Sequence, residues 1–340
     1  MRRTLLRWLA CPGCGGAFTL AESDTAGEEV VTGALHCASC EARYPVRGGI
    51  PRLLPSVLIE EQQRTAAAFG WQWNHFARLH ERDVYVEQLL DWIAPLTASD
   101  VRDRVVLDAG CGMGRLAAAC ATLGAREVVA VDISAAVEAA YANTRDLPNV
   151  HVVQADLTAL PLRRDPGPFE LIVSIGVLHH LPEPEAGFAA LVRHLTVGGT
   201  IAVWLYGYEN NEWLVRYVDG VRRRLTSRLP YRALAALSVA LALPLEAVLR
   251  LVYAPADRWT ALRALKRRLP YPYLLWLSRY GFHHTRHVIF DHLVAPKAEY
   301  LTRQTVEAWF AHAGLRDTTI TPRNANSWRG CGRRPAPAQA

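Results

Sequence analysis

The chain of 340 residues is poor in methionine (2), has no internal repeat, and carries an odd number of cysteines, seven. Three of these, Cys111, Cys120 and Cys331, stand alone, which excludes a disulfide framework of the kind that staples small secreted domains. No apolar run reaches the roughly 20 residues of a spanning helix without a break. The longest, residues 234–253, is interrupted by Pro244, Glu246 and Arg250 and reads as two short helices. No secretory leader is expected either: the apolar stretch behind Met1-Arg2-Arg3 is broken by Arg7 and is shorter than the about 7–15 residues a signal core needs, so a cytoplasmic protein is expected. With 51% hydrophobic and 21% charged residues, disorder and fibrous architectures are excluded. The net charge of +6 admits nucleic acid, anionic lipid or phosphorylated substrates and selects none of them.

At about 150 residues per domain, the length suggests roughly two domains. The remaining cysteines form two pairs, Cys11-Pro-Gly-Cys14 and Cys37-Ala-Ser-Cys40, separated by 22 residues. Each pair fits a tight knuckle, and two knuckles supply the four thiolates that tetrahedral Zn²⁺ takes. Residues 1–55 are too few to bury a sufficient core, so the metal would carry the folding of this zinc ribbon, and four protein ligands make the site structural. The alternative is a pair of redox dithiols. Residues 56–100 read as helical: Phe69, Trp71, Trp73 and Phe76 crowd together, and Tyr85, Leu89, Leu90, Trp92 and Ile93 follow at helical spacing. They are either a core stripe or a cover over a ligand held by the next domain.

From Arg104 short apolar runs alternate with helical stretches. Strands are expected at 105–107, 128–131, 150–153, 171–174 and 200–205, and helices at 117–123 and 134–144. That alternation implies a parallel sheet covered on both faces. After an interruption at 206–300, a helix over 302–313 ends at Gly314, and residues 315–321 and 326–332 read as two closing strands.

The run Val105-Val106-Leu107-Asp108-Ala109-Gly110-Cys111-Gly112-Met113-Gly114-Arg115 takes a strand through a glycine turn into a helix. Glycines let backbone approach a ligand closely. The spacing is G-x-G-x-G and position 115 is Arg where a dinucleotide site wants a small residue, which counts against NAD or FAD. Asp108 suits a ligand with a cationic amino-acid end. Asp132, 22 residues past Gly110 at the end of the second strand, can accept both hydroxyls of a ribose. Asp156, just past the third strand, can take an adenine amino group, with Leu157 offering a backbone N–H.

These runs, 107–114, 128–134, Ala155-Asp156 with Leu160-Pro161, and His179-His180-Leu181-Pro182, resemble a class I S-adenosylmethionine-dependent methyltransferase, of the branch common in small-molecule and lipid methylation. The resemblance covers residues 101–205 and 301–332 as the methyltransferase core. Residues 1–55 are similar to the zinc ribbon that precedes such domains in several bacterial methyltransferases. The implied fold is α/β: a doubly wound, mostly parallel, seven-stranded Rossmann-like sheet with an antiparallel last strand. The implied cofactors are S-adenosylmethionine and a structural Zn²⁺ on Cys11, Cys14, Cys37 and Cys40. By position, Asp108, Gly110, Cys111, Gly112 and Gly114 would cradle the methionine end, Asp132 and Ile133 the ribose, and Asp156 and Leu157 the adenine. Ser174 and Gly176 would line the pocket below the sulfonium. His179 and His180, at the rim of the fourth strand, are the candidate general bases.

Residues 206–300 lie outside the shared core and are expected to form a helical substrate cap. They hold 15 Lys and Arg against 7 Asp and Glu, a net of +8, which leaves the rest of the chain at −2. The acceptor, or the surface carrying it, is therefore expected to be anionic. Arg222-Arg223-Arg224, Arg228, Arg232 and Lys266-Arg267-Arg268 flank the apolar stretch, a pattern suited to the surface of an anionic bilayer, to a greasy substrate or to a plain lid. His283, His284, His287, Asp291 and His292 form either a second metal site, a base cluster or a solvated loop. The chain lacks the N-P-P-Y motif of amino-group DNA methyltransferases. A small-molecule or lipid-linked acceptor is expected, RNA being the alternative; a non-catalytic scaffold is disfavoured by the intact Asp108, Asp132 and Asp156.

Overall fold

The computed structural model describes residues 1–55, 57–77, 82–164, 167–259 and 273–336. The basic run Lys266-Arg267-Arg268 lies outside the described residues.

Two sheets organise the chain. Strands β1 (Phe18–Ala26), β2 (Glu29–Cys37), β3 (Arg43–Arg47) and β4 (Ile50–Pro51) form an antiparallel sheet in sequence order. The second sheet has seven strands: β5 (Val105–Ala109), β6 (Glu127–Asp132), β7 (Val150–Gln154), β8 (Phe169–Ile175), β9 (Leu195–Tyr206), β10 (Arg316–Arg323) and β11 (Ser327–Arg333). Their spatial order is β10-β11-β9-β8-β5-β6-β7. The five strands from β9 to β7 run parallel, and β11 is antiparallel to both neighbours.

Every residue of β5 is buried, because helices cover both faces. Side chains alternate between two cores. Val105, Leu107 and Ala109 join Phe188 of α5 (Pro184–Val192) and Phe310 of α8 (Arg303–His312). Val106 joins Leu89 and Trp92 of α2 (Arg82–Ile93) and Leu116 of α3 (Arg115–Thr122). α1 (Glu60–His75) precedes these and α4 (Ala136–Thr144) follows β6. Thr302 caps α8 by accepting the Thr305 N–H.

The small sheet is not a free module. Leu5, Leu9, Val30, Leu35 and Val46 belong to the same apolar cluster as β5 and β6. Leu53 donates its N–H to the Gln154 carbonyl at 2.8 Å, so the chain leaving the small sheet covers the edge strand β7.

The expected pair of short cap helices is corrected. α6 (Tyr231–Val248) continues through a wide turn at Leu249–Tyr253 into Ala254–Arg258 without a break. Pro244 sits on the exposed face, so the hydrogen bond its missing N–H forfeits is lost on the side where water can serve the freed carbonyl. Among the described residues, Tyr231–Ala256 is one helix long and apolar enough to cross a membrane by length and composition alone. It rests on α7 (Phe282–Val294), where Thr285 donates to the buried Glu246 at 2.9 Å.

Candidate active site

The strand order reverses between β5 and β8, and a crevice opens there beyond the carboxyl ends of the strands. The glycine turn forms its floor. Gly110 and Cys111 both donate N–H to the Val131 carbonyl, at 2.8 and 2.9 Å, which folds the turn against β6. Gly110 (φ +88°) and Gly112 (φ +52°) are left-handed. A Cβ would stand 2.3 Å from Val177 at position 110, which forces that side chain to move, and 3.1 Å from Trp73 at position 112, where the ring would have to give by a few tenths of an ångström.

Asp132 and Asp156 stand on the same cavity. Asp132 Oδ2 accepts the Gly112 N–H (2.9 Å), and Oδ1 accepts the Ser134 N–H and hydroxyl (2.8 and 2.6 Å). Burial raises the pKa of this carboxyl against those donors. A carboxylate offers about four lone-pair sites, so acceptor capacity remains. Asp156 Oδ1 accepts the Thr158 N–H at 2.8 Å, and Oδ2 accepts Gln62 Nε2 of α1 at 2.8 Å.

The cavity measures about 210 Å³, against about 10 Å³ for a hollow beneath Met1 that would hold a single water. Of the residues singled out from sequence, Gly110, Cys111, Gly112, Asp132, Ile133, Asp156, Leu157, Gly176 and His180 line it. Asp108, Gly114, Ser174 and His179 do not. A Cβ on Gly114 would meet Ala140 of α4 at 3.0 Å, so this glycine serves helix contact. Ser174 donates to the Ala109 carbonyl at 3.0 Å and ties β8 to β5. His179 is fully buried, stacked on Tyr206 with ring centroids 4.0 Å apart, and neither ring nitrogen has a hydrogen-bond partner among the described residues. Asp108 is buried beneath the turn with neither oxygen in hydrogen-bond geometry. Burial pushes its pKa up to about 7 against the Ala117 N–H and the Arg115 charge.

Two helices roof the cavity. Gln62, Thr65, Ala66, Phe69 and Trp73 of α1 and His284, His287, Val288, Asp291 and His292 of α7 all line it. His283 falls on another face of α7. The Gln72 amide nitrogen donates to Asp291 Oδ1 (3.0 Å) and contacts His287 Nε2 (3.1 Å). That NH₂ only donates, so His287 accepts at Nε2 and carries its proton on Nδ1. Tyr206 donates to Asp291 Oδ2 at 2.9 Å. Burial would raise the Asp291 carboxyl; the His180 and His292 rings and the Gln72 N–H outweigh it and hold it below the usual range. Among the described residues only the four N-terminal cysteines bring three or more possible metal-ligand atoms together.

Sequence reasoning passed over several wall residues. Arg115 lies over the rings of Trp73 (5.2 Å) and Trp92 (5.0 Å), with no hydrogen bond or ion pair found for it among the described residues. Arg323 lies over Trp276 (4.7 Å) and donates to Asp91 at 2.7 Å. Trp204 and Tyr206 close β9. The signal for both roof helices was the i, i+3, i+4, i+7 stripe they share, which includes polar positions that an apolar count omits.

At the far end of the small sheet, the sulfurs of Cys11, Cys14, Cys37 and Cys40 all lie within 4.8 Å of one another, with Cys14–Cys37 at 3.4 Å and Cys11–Cys40 at 3.7 Å. Four Zn–S bonds of about 2.3 Å require sulfur separations of about 3.8 Å, so the donor set suits tetrahedral Zn²⁺.

Residues 106–199 match the sequence family described as "Methyltransferase domain". An uncharacterised protein of Synechococcus is 36% identical over 104 residues, covering 30% of this chain and 25% of its own length. A ubiquinone biosynthesis O-methyltransferase of Albidiferax ferrireducens is 31% identical over 115 residues, covering 33% of this chain and 44% of its own. The chain thus spans less than half the length of these curated relatives. Among solved structures, magnesium protoporphyrin IX methyltransferase of Synechocystis with bound SAH is 14% identical, covering 80% of this chain and 97% of that one, with a TM-score of 0.42. The glycine turn, Asp132, Asp156 and strands β6, β7 and β8 lie inside the matched stretch, so residues 106–199 are similar to a methyltransferase domain and are carried on a doubly wound, Rossmann-like sheet.

Proposed function

We propose that the chain is a cytoplasmic, S-adenosylmethionine-dependent methyltransferase acting on a small-molecule or lipid-linked, anionic acceptor, with a structural Zn²⁺ on its four clustered cysteines. The observation that carries the reading is the placement of Asp132 and Asp156 on one cavity with the glycine turn.

The wall residues fit the cofactor. Asp132 has acceptor capacity for a ribose diol, and Asp156 with the Leu157 backbone stands where an adenine edge would be read. Arg115 is a cation on the wall suited to the carboxylate of the methionine end. S-adenosylmethionine supplies an electrophilic methyl group together with its leaving group, so the protein's work is to position and desolvate the acceptor. α1 and α7 exclude water from above. Six aromatic residues, Trp92, Trp204, Tyr206, Tyr273, Trp276 and Tyr300, suit a flat or greasy acceptor, and Arg323 an anionic group on it.

His180, not His179, is the base in this reading. Its Nδ1 lies 2.6 Å from the Lys297 carbonyl, which only accepts, so Nδ1 holds the proton and Nε2 the lone pair. Burial lowers its pKa against the pull of the Asp291 carboxylate, and Nε2 can take a proton from an acceptor O–H or N–H.

The test is incubation of the purified protein with methyl-labelled S-adenosylmethionine and fractionated cell extract. Label is expected in the small-molecule or lipid fraction. Label confined to RNA or protein overturns the acceptor class.

A further inference from the structure

Among the described residues, the arginines of the cap do not face the cavity. Among the described residues the arginines on the cavity wall are Arg115 and Arg323, and both come from the core. Arg216, Arg224, Arg228, Arg232, Arg250 and Arg258 of the cap are exposed instead. These six arginines therefore serve an outer surface rather than the substrate chamber.

That surface is apolar between its charges. α6 and its continuation turn Leu234, Ser238, Ala242 and Glu246 inward. Outward they present Leu241 (44% exposed), Leu243 (59%), Val248 (45%) and Leu251 (77%), with small residues between. Glu246 is the one acid from Arg232 to Arg250, and it is buried against Thr285. At about 1.5 Å per residue the strip without exposed charge is about 27 Å long, bounded by Arg228 and Arg232 at one end and Arg250 and Arg258 at the other. A second row, Trp213, Tyr217, Val221 and Leu225, repeats every four residues and is also exposed. Exposed apolar area on this scale is rare on a monomer without a partner.

We propose that the outer face of the cap seats on an anionic phospholipid bilayer, lying in its surface. Leucine and valine enter the acyl boundary while the arginines reach phosphates and acidic headgroups. The helix lies in the surface and does not span. Its inner face holds Glu246, bonded to α7, and α7 carries His284, His287 and Asp291 to the cavity wall. Withdrawing α6 into hydrocarbon would bury the Glu246–Arg250 ion pair, part Glu246 from Thr285 and strip the roof from the chamber. The inference rests on the outer face alone and is independent of what the chamber binds.

Flotation of the full chain with vesicles of phosphatidylcholine, with and without about 30% phosphatidylglycerol, tests it. Retention is expected on the anionic vesicles and is expected to fall as salt is raised. Arg228→Glu with Arg232→Glu should lower the partition at least 25-fold, from about five-fold per lost cation. Leu243→Glu with Leu251→Glu should abolish it, and both variants should bind S-adenosylmethionine like the parent in calorimetry. The proposal is overturned if the parent stays unbound with anionic vesicles, if the Leu243→Glu, Leu251→Glu protein floats as well as the parent, or if single-stranded RNA binds at the arginines while vesicles do not.

Discussion

Asp108 was expected to share the methionine end with Gly110, Cys111, Gly112 and Gly114, and the structure sets it apart from the cavity that Arg115 lines. The aspartate sits under the turn, away from the wall, while the arginine stands on it. A buried carboxyl with a pKa of about 7 against a usual 3.8 binds protons more tightly folded than unfolded. Its contribution to stability is complete below about pH 4 and is lost as the pH rises toward 7, a change of about 4 kcal/mol across that window. Asp108→Asn keeps the shape and cannot ionise. Its unfolding midpoint relative to the parent should therefore rise between pH 5 and pH 8; a difference that stays constant with pH contradicts this. That Asp108 would be an end-of-strand acid was legible from the run into Gly110. Its depth was not, because which face of a strand meets the ligand depends on the helices laid over it.

The two added elements differ in how far their sequences foretold them. The clustering of the four N-terminal cysteines was legible because thiolate chemistry dictates their spacing. The fusion of their small sheet to the core was not: Leu5, Leu35 and Val46 are ordinary apolar residues until the large sheet packs on them. The fusion makes metal loss a defect of the whole molecule. The reduced protein should carry about one zinc per chain, and a strong chelator should lower the single unfolding midpoint instead of releasing a separate small transition. Absence of zinc, or a midpoint unmoved by chelator, counts against the site. In the cap, Pro244 misled as a helix breaker because its exposure, which makes it tolerable, is set by α7. The histidines of 283–292 became interpretable once on a helix: the stripe His284, His287, Asp291, His292 faces the chamber and His283 does not.

For the molecule as a whole, the order of apolar runs was enough to specify a parallel sheet covered on both faces, since buried parallel strands leave little freedom in residue choice, while the antiparallel last strand came from the family resemblance. The glycine turn and the acids ending β6 and β7 were legible for the same reason: backbone approach and strand ends fix them locally. The acceptor side was not legible, because Trp92, Trp204, Arg323 and Asp291 are brought together from α2, β9, β10 and α7, separated by long stretches of chain. The decisive measurement is calorimetric titration of the purified protein with S-adenosylmethionine, repeated on Asp132→Ala. Saturable binding at one site per chain, weakened ten- to a hundred-fold by the substitution as expected for about 1.5–3 kcal/mol of charge-assisted hydrogen bonding, is predicted. No binding by the parent, or equal binding by both proteins, would contradict the assignment of this cavity.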